Sequence, residues 1–395
     1  MKKKKIGFAI MACFASLLFF CGVPLGNLYY SMATVNAAYM GEVSTAKQEA
    51  DRLQSESAAA EAKKAEEEAK KQAEEDIKTQ EEEKKKRDAE IAAAAKKAAD
   101  AANRKPANSY KPPTEEEKKE DTDNRPSGGD TIPVIPDDGS SNGSGVDTGT
   151  VGKPGWQTID GKKYYFDSDG KALVGPARLD NTYMFFDSDG VLQNTSLGID
   201  VSYHNGKLDW KEIKSIGVEF AMIRVGYRGY GAGTLVYDEQ YKNNIKGALE
   251  NGIKVGVYFF SQAISAEEGI EEASFVLDLI QGYNITLPVC IDTETSGGNG
   301  SGRADKISVA DRTAAMKGFC ETIAAAGKKP MIYASTSWFY SHLDMSQLPY
   351  MIWQAQWMSQ PNYKLGFDIW QFTSDGSLTG DEKDKRRFDL NFIFN

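Results

Sequence analysis

Histidine and cysteine are scarce in this chain, and positive charge is outnumbered by negative charge overall. Among 395 residues there are two histidines, His204 and His342, and no H-E-x-x-H pair, which excludes a histidine-based zinc site. Four cysteines occur, Cys13 and Cys21 in an apolar leader and Cys290 and Cys320 far apart near the C-terminus. No C-x-x-C pair exists, so zinc ribbons and thioredoxin-type redox chemistry have no support in the sequence, and Cys290 and Cys320 read as buried apolar thiols, with a disulfide between them as the alternative. Lys and Arg total 47 against 57 Asp and Glu, a net charge of −10. A phosphate backbone needs a basic face, so nucleic acid is not the expected partner. A formal G-x-S-x-G match, GSSNG, sits in a Gly/Ser-rich stretch with no strand before it and no helix after it, which excludes a serine elbow.

What is present falls into five segments. Residues 1–40 carry a basic Lys2–Lys5 run and an apolar run, Ile6 to Val23, which reads as a signal peptide or membrane anchor. Either places the remainder outside the cytoplasm, secreted or held at the membrane, because the lysines stay inside. Residues 41–105 are rich in Ala, Glu and Lys, with strong helix propensity and i, i+4 charge pairs but no sustained Leu/Ile heptads. They predict a solvated helical stalk; a coiled coil that binds a partner is the alternative. Residues 106–150 are rich in Pro, Gly, Ser and Asp and read as a disordered linker.

Residues 151–194 repeat with a period of about 20. Tyr165 to Gly170 matches Phe185 to Gly190, and each copy predicts a small hairpin with D-S-D-G as its turn. Trp156, Tyr164, Tyr165 and Phe185 supply rings suited to stacking on a sugar or caging a quaternary ammonium. The pair resembles cell-wall-binding repeats of the choline-binding type, which begin G-W and continue Y-Y-F. The resemblance implies a wall polymer or choline as partner. Pro176 stands where the first copy has Trp156, so a full cage would lack one wall there.

Residues 195–395 alternate apolar runs with amphipathic segments. The strand candidates are LGIDVS, FAMIRVGY, KVGVYFFS, LPVCIDTE, KPMIYAS, YMIWQAQW, FDIWQFT and RFDLNFIF. Strand followed by helix, repeated, predicts an α/β fold, a parallel sheet closed into an irregular β/α barrel of the TIM type. Short final connections predict an irregular side. In such barrels the C-terminal strand ends carry the active site. Asp292 and Glu294 occupy such an end, on one face of the strand roughly 6.5–7 Å apart at the backbone. Asp200 and Asp389 take similar positions on other strands. Clustered carboxylates suit a hard metal ion or glycoside cleavage. Rings at or near strand ends, Tyr258, Tyr333, Trp353, Trp357 and Trp370, favour a sugar, with no metal and no cofactor.

These residues bring the domain to a known family. G-I-D-V-S at 198–202, D-x-E at 292–294, W-x-A-x-W at 353–357, W-Q-F-T at 370–373 and D-L-N at 389–391, in that order, resemble glycoside hydrolase family 25 lysozymes. The resemblance implies hydrolysis of the β-1,4 bond between N-acetylmuramic acid and N-acetylglucosamine in peptidoglycan. It implies that Glu294 is the general acid and Asp292 its carboxylate partner, with Asp200 and Asp389 completing the cluster. Tyr258, Tyr333, Trp353, Trp357, Trp370 and Gln371 are the expected substrate contacts. Phe259 stands where the family often has histidine, so no imidazole is expected there. A wall-binding or scaffold protein without catalysis is the competing expectation.

Overall fold

The computed structural model describes residues 25–102, 152–296, 301–381 and 383–395. The chain divides into two units, Met1–Lys85 and Lys86–Asn395.

A single helix, α1, spans Leu25–Ala102. It begins inside the predicted leader segment and runs through residue 40 without a break. The apolar run expected to enter a membrane, Ile6 to Val23, lies outside the described residues, and no described helix is long and apolar enough to cross one. Exposed pairs such as Lys70–Glu66 at 2.7 Å and Lys71–Glu67 at 2.9 Å decorate the helix. Pairs of this kind add only about 0.3–0.5 kcal/mol each. Near its end the pattern changes: Ile91, Ala95 and Ala99 are buried at i, i+4, i+8, and Asp88 pairs with Lys317 at 2.6 Å. The predicted linker lies outside the described residues.

Each repeat is a two-stranded hairpin: β1 (Gly155–Ile159) with β2 (Lys162–Phe166), and β3 (Gly175–Leu179) with β4 (Thr182–Phe186). The predicted turns are displaced. The hairpins close at Asp160-Gly161 and Asp180-Asn181, all four at positive φ, as two-residue primed turns require. The D-S-D-G segments instead follow the second strand of each hairpin. There Asp167 Oδ1 accepts from the Asp169 and Lys171 N–H groups, and Asp187 Oδ1 from those of Asp189 and Val191. These are Asx turns, the other structure that such residues favour.

The remaining strands are β5 (Thr195–Val201), β6 (Phe220–Arg228), β7 (Leu235–Tyr237), β8 (Lys254–Phe260), β9 (Val289–Asp292), β10 (Pro330–Ser335), β11 (Met351–Ala355), β12 (Ile369–Gly376) and β13 (Phe388–Phe394). Eight of them close into a ring, β5-β6-β8-β9-β10-β11-β12-β13, because β5 pairs with both β6 and β13. The eight apolar runs of the sequence supply these eight strands. Six pairings are parallel; β13 runs antiparallel to both neighbours, which is the irregular side. Short β7 lies outside the ring, on β6. Helices α2 (Trp210–Ser215), α3 (Tyr241–Glu250), α4 (Ala266–Leu279), α5 (Val309–Ala325) and α6 (Thr336–Ser341) occupy connections between strands. Asp209, Ser265 and Ser308 cap α2, α4 and α5 by accepting backbone N–H groups.

Strand alternation sorts the side chains. Phe220, Met222, Cys290, Met331, Tyr333, Trp353, Ala355 and Ile369 pack together inside the ring, while Ile199, Ile223, Val257, Phe259 and Ile291 join the larger core shared with the helices. Two glycines make the inner layer fit. A Cβ on Gly198 would stand 2.3 Å from the Phe220 ring, and one on Gly256 2.5 Å from Met222 Sδ.

Candidate active site

The inward positions change character toward the C-terminal strand ends. Below lie Phe220, Met222 and Cys290; two residues further on the same strands come Arg224 on β6 and Asp292 on β9. Asp200 on β5 stands directly opposite Asp389 on β13 in the ladder. Asp292 is registered beside Tyr333 on one side and Phe260 on the other.

A hydrogen-bonded scaffold holds Asp200. Its Oδ2 accepts from Gln371 Nε2 at 3.0 Å and from Asn391 Nδ2 at 2.8 Å. Those amides are themselves oriented. Gln371 Oε1 accepts from the Tyr333 hydroxyl at 3.0 Å and from Trp357 Nε1 at 3.3 Å, and Asn391 Oδ1 accepts from Trp353 Nε1 at 2.7 Å. Because the Trp357 and Trp353 indole N–H groups can only donate, each amide must present its oxygen to them and turn its NH₂ group toward Asp200.

Asp292 is differently placed. It is 4% exposed, and its Oδ1 is buried without a hydrogen-bond partner. Burial drives its carboxyl well above the usual carboxylate range. Glu294, Asp200 and Asp389 nearby drive it further, and Arg224 draws it back. Burial raises the phenols of Tyr258 and Tyr333, which line the cluster, and Asp200, Asp292 and Asp389 raise both further. Arg224 is held by Asp238, whose Oδ2 accepts from Nε at 3.0 Å, and its guanidinium lies 5.3 Å from the Tyr203 and Tyr227 ring centres. Among the described residues no group of three or more His, Cys, Asp and Glu side chains is arranged to hold a metal ion. The arrangement therefore offers acid–base and electrostatic chemistry: a buried acid, further carboxylates around it, and one fixed cation.

The structure brings Asp200, Asp292, Glu294, Asp389, Tyr258, Tyr333 and Gln371 together, with Trp357 tied to them through Gln371. It does not bring all the expected rings to the mouth. Trp353 is almost fully buried, edge-on to Tyr333 at 4.6 Å and Tyr258 at 5.8 Å, and forms the floor rather than a face open to a sugar. Trp370 is 0% exposed and points out of the ring, because Gln371 next to it points in. Its Nε1 donates to the Gln356 carbonyl, and its ring meets Phe185 edge-on at 5.3 Å. Phe185 is thus also removed from the ligand-binding set; it is wedged among Trp370, Phe392 and Phe394. Phe259 faces the helix layer against Phe275, so the missing imidazole leaves the inward face unchanged. Trp156, 41% exposed, stands edge-on to Tyr165 at 5.3 Å and near Phe186 at 6.1 Å, and Tyr164 packs near Phe166.

Sequence reasoning missed Arg224 and Asp238, and named Asn391 only within the D-L-N motif, without a role. Arg224 carried a signal, a lone cation within the apolar run FAMIRVGY. Asn391 carried another, two residues beyond Asp389 on the same strand face.

With this geometry in place, comparison with known proteins is informative. Residues 199–381 match Glycosyl hydrolases family 25, and residues 154–192 match Choline-binding repeat. The autolytic lysozyme of Clostridium acetobutylicum is 25% identical over 184 residues, 46% of this chain and 52% of that protein. Lysozyme M1 of Streptomyces globisporus is 28% identical over 206 residues, covering 49% and 67%. The chain thus spans about half the length of the first of these relatives. Among solved structures, the modular autolysin LytC of Streptococcus pneumoniae aligns with a TM-score of 0.48 at 24% identity, covering 61% of this chain and 58% of that one.

Proposed function

We propose that the chain is a muramidase that cleaves the β-1,4 bond between N-acetylmuramic acid and N-acetylglucosamine in peptidoglycan. The observation that carries this reading is the Asp292 carboxyl, buried beside Glu294, Asp200 and Asp389 with one oxygen unpartnered. Leaving such an acceptor unpaired costs about 1–3 kcal/mol.

In the proposed mechanism the neighbouring carboxyls of Asp292 and Glu294 share a proton before substrate binds. An N–H from the 2-acetamido group of the bound sugar engages the Asp292 carboxyl and favours its ionised form. The proton then resides on Glu294, the half-buried acid nearer the rim. Glu294 delivers it to the glycosidic oxygen as the C–O bond breaks. Positive charge at the anomeric carbon is met by Asp292 directly, or by the acetamido oxygen that Asp292 orients. Glu294, now ionised, takes a proton from water as the water oxygen bonds to the anomeric carbon and displaces the Asp292 or acetamido oxygen from it. Tyr258, Tyr333 and Trp357 border the sugar, with Trp353 beneath. The ring is read as an irregular TIM-like barrel with its last strand reversed. The repeats contact a wall polymer or choline through Trp156 and Tyr165, and the protein works outside the cytoplasm at the wall.

Digestion of purified walls followed by mass spectrometry tests the reading. The expected products carry reducing muramic-acid ends, and Glu294→Gln lowers their release by about 100-fold or more, the scale of general acid catalysis. Near-normal release by Glu294→Gln removes that residue from the role. Wall binding by the wild-type chain without any release favours the non-catalytic alternative.

A further inference from the structure

Between Asp292 and Glu294 stands Thr293, which strand alternation turns away from the mouth and into the layer between ring and helices. Thr293 is 1% exposed, and its hydroxyl oxygen accepts from NH1 of Arg312 on α5 at 3.2 Å. Arg312 is itself 2% exposed. Its NH2 donates to the Ala304 carbonyl at 2.6 Å and to the Asp305 carbonyl at 3.4 Å, and its guanidinium lies 4.5 Å from the Trp338 ring centre. No carboxylate pairs with it in a salt bridge among the described residues, and burial lowers its pKa. A buried cation of this kind is costly, and packing alone would be better served by an apolar side chain of similar volume.

The same two stretches of chain are joined a second time. Asp305 accepts from the Ser296 N–H at 2.9 Å, from the Ser296 hydroxyl at 2.9 Å and from the Gly302 N–H at 2.8 Å. The Thr293 N–H donates to the Tyr333 carbonyl at 3.1 Å. Glu294 therefore lies between two fixed points, Thr293 on one side and Ser296 on the other.

We propose that Arg312 and Asp305 are positioning residues, a staple outside the ring that fixes the aim of Asp292 and Glu294 through Thr293 and Ser296. This rests on the proposed roles of those two acids. Displacing a catalytic group by about 1 Å can cost on the order of 100-fold in rate while leaving substrate affinity alone. The staple should therefore appear in kcat rather than in KM.

The test uses the full chain and soluble glycan strands, with thermal unfolding followed alongside. Thr293→Val keeps shape and removes the acceptor; it should lower kcat by about 10-fold or more with KM within about twofold. Thr293→Ser restores the hydroxyl and should restore kcat to within about twofold of wild type. Arg312→Lys keeps the charge but loses the fork and should behave like Thr293→Val. A folded Thr293→Val with wild-type kcat overturns the staple, as does an equal fall in the Val and Ser variants. Should Arg312→Lys fail to fold, the Thr293 pair decides. Loss of activity in Glu294→Gln but not in Thr293→Val sinks the staple and leaves the functional reading standing. A wild-type chain without activity sinks both.

Discussion

The Asp292 carboxyl is buried among other acids, and its position has a thermodynamic consequence separate from catalysis. An acid whose pKa is raised on folding binds more protons folded than unfolded, so stability falls as pH rises above the ordinary value, 3.8 for this group. Below that value the carboxyl is neutral in both states and the penalty vanishes. Asp292→Asn removes the titration while keeping the shape. Its Tm should match wild type near pH 3 and exceed it at pH 7 by about 2–4 °C for each kcal/mol relieved, while muropeptide release is lost. A variant less stable than wild type at pH 7 would mean that the ionised carboxylate is welcome where it lies. Stability surrendered at one residue for chemistry is the expected signature of a working site.

At the scale of elements, the second hairpin belongs with the barrel. Besides the Phe185 wedge, the Tyr183 hydroxyl donates to the Ser377 carbonyl at 3.0 Å, Arg178 Nε to the Leu378 carbonyl at 3.3 Å, and Gln360 Nε2 to the Phe186 carbonyl at 2.8 Å. Pro176, which departs from the first copy, lies in a buried strand rather than in a ligand cage. Phe185→Ala should therefore destabilise the barrel by about 3–5 kcal/mol, read by chemical denaturation of the full chain. Trp156→Ala, at an exposed ring of the first hairpin, should cost less than about 1 kcal/mol. Equal costs would show the two repeats to be equivalent. The strands and the acid pair were legible in the sequence because β-branched runs, period-2 alternation and D-x-E are local signals. The same alternation, applied to W-Q-F-T, turns Trp370 outward once Gln371 is turned in. What local signals could not carry was the docking of Phe185 onto Trp370, a contact between residues far apart in the chain. D-S-D-G was misassigned because Asx turns and hairpin turns draw on the same residues.

For the molecule as a whole, α1 is one helix with two kinds of surface. Ile77 is 58% exposed, as a solvated Ala/Glu/Lys helix permits. Ile91 is buried, one step along the stripe that continues through Ala95 and Ala99, and beside it Asp88 pairs with Lys317 of α5. The residues from Lys86 onward therefore belong to the folded C-terminal unit, although composition alone runs unbroken through them. The same substitution at both positions separates the two surfaces, because its intrinsic helix cost is common to both. Ile91→Asp removes a buried side chain worth about 1.5–3 kcal/mol and places a charge there. It should lower the Tm of the full chain by about 4–8 °C. Ile77→Asp should leave that transition within about 1 °C. Equal shifts, or no shift from Ile91→Asp, would detach this stretch from the domain and return the whole helix to the solvated stalk that its composition predicts.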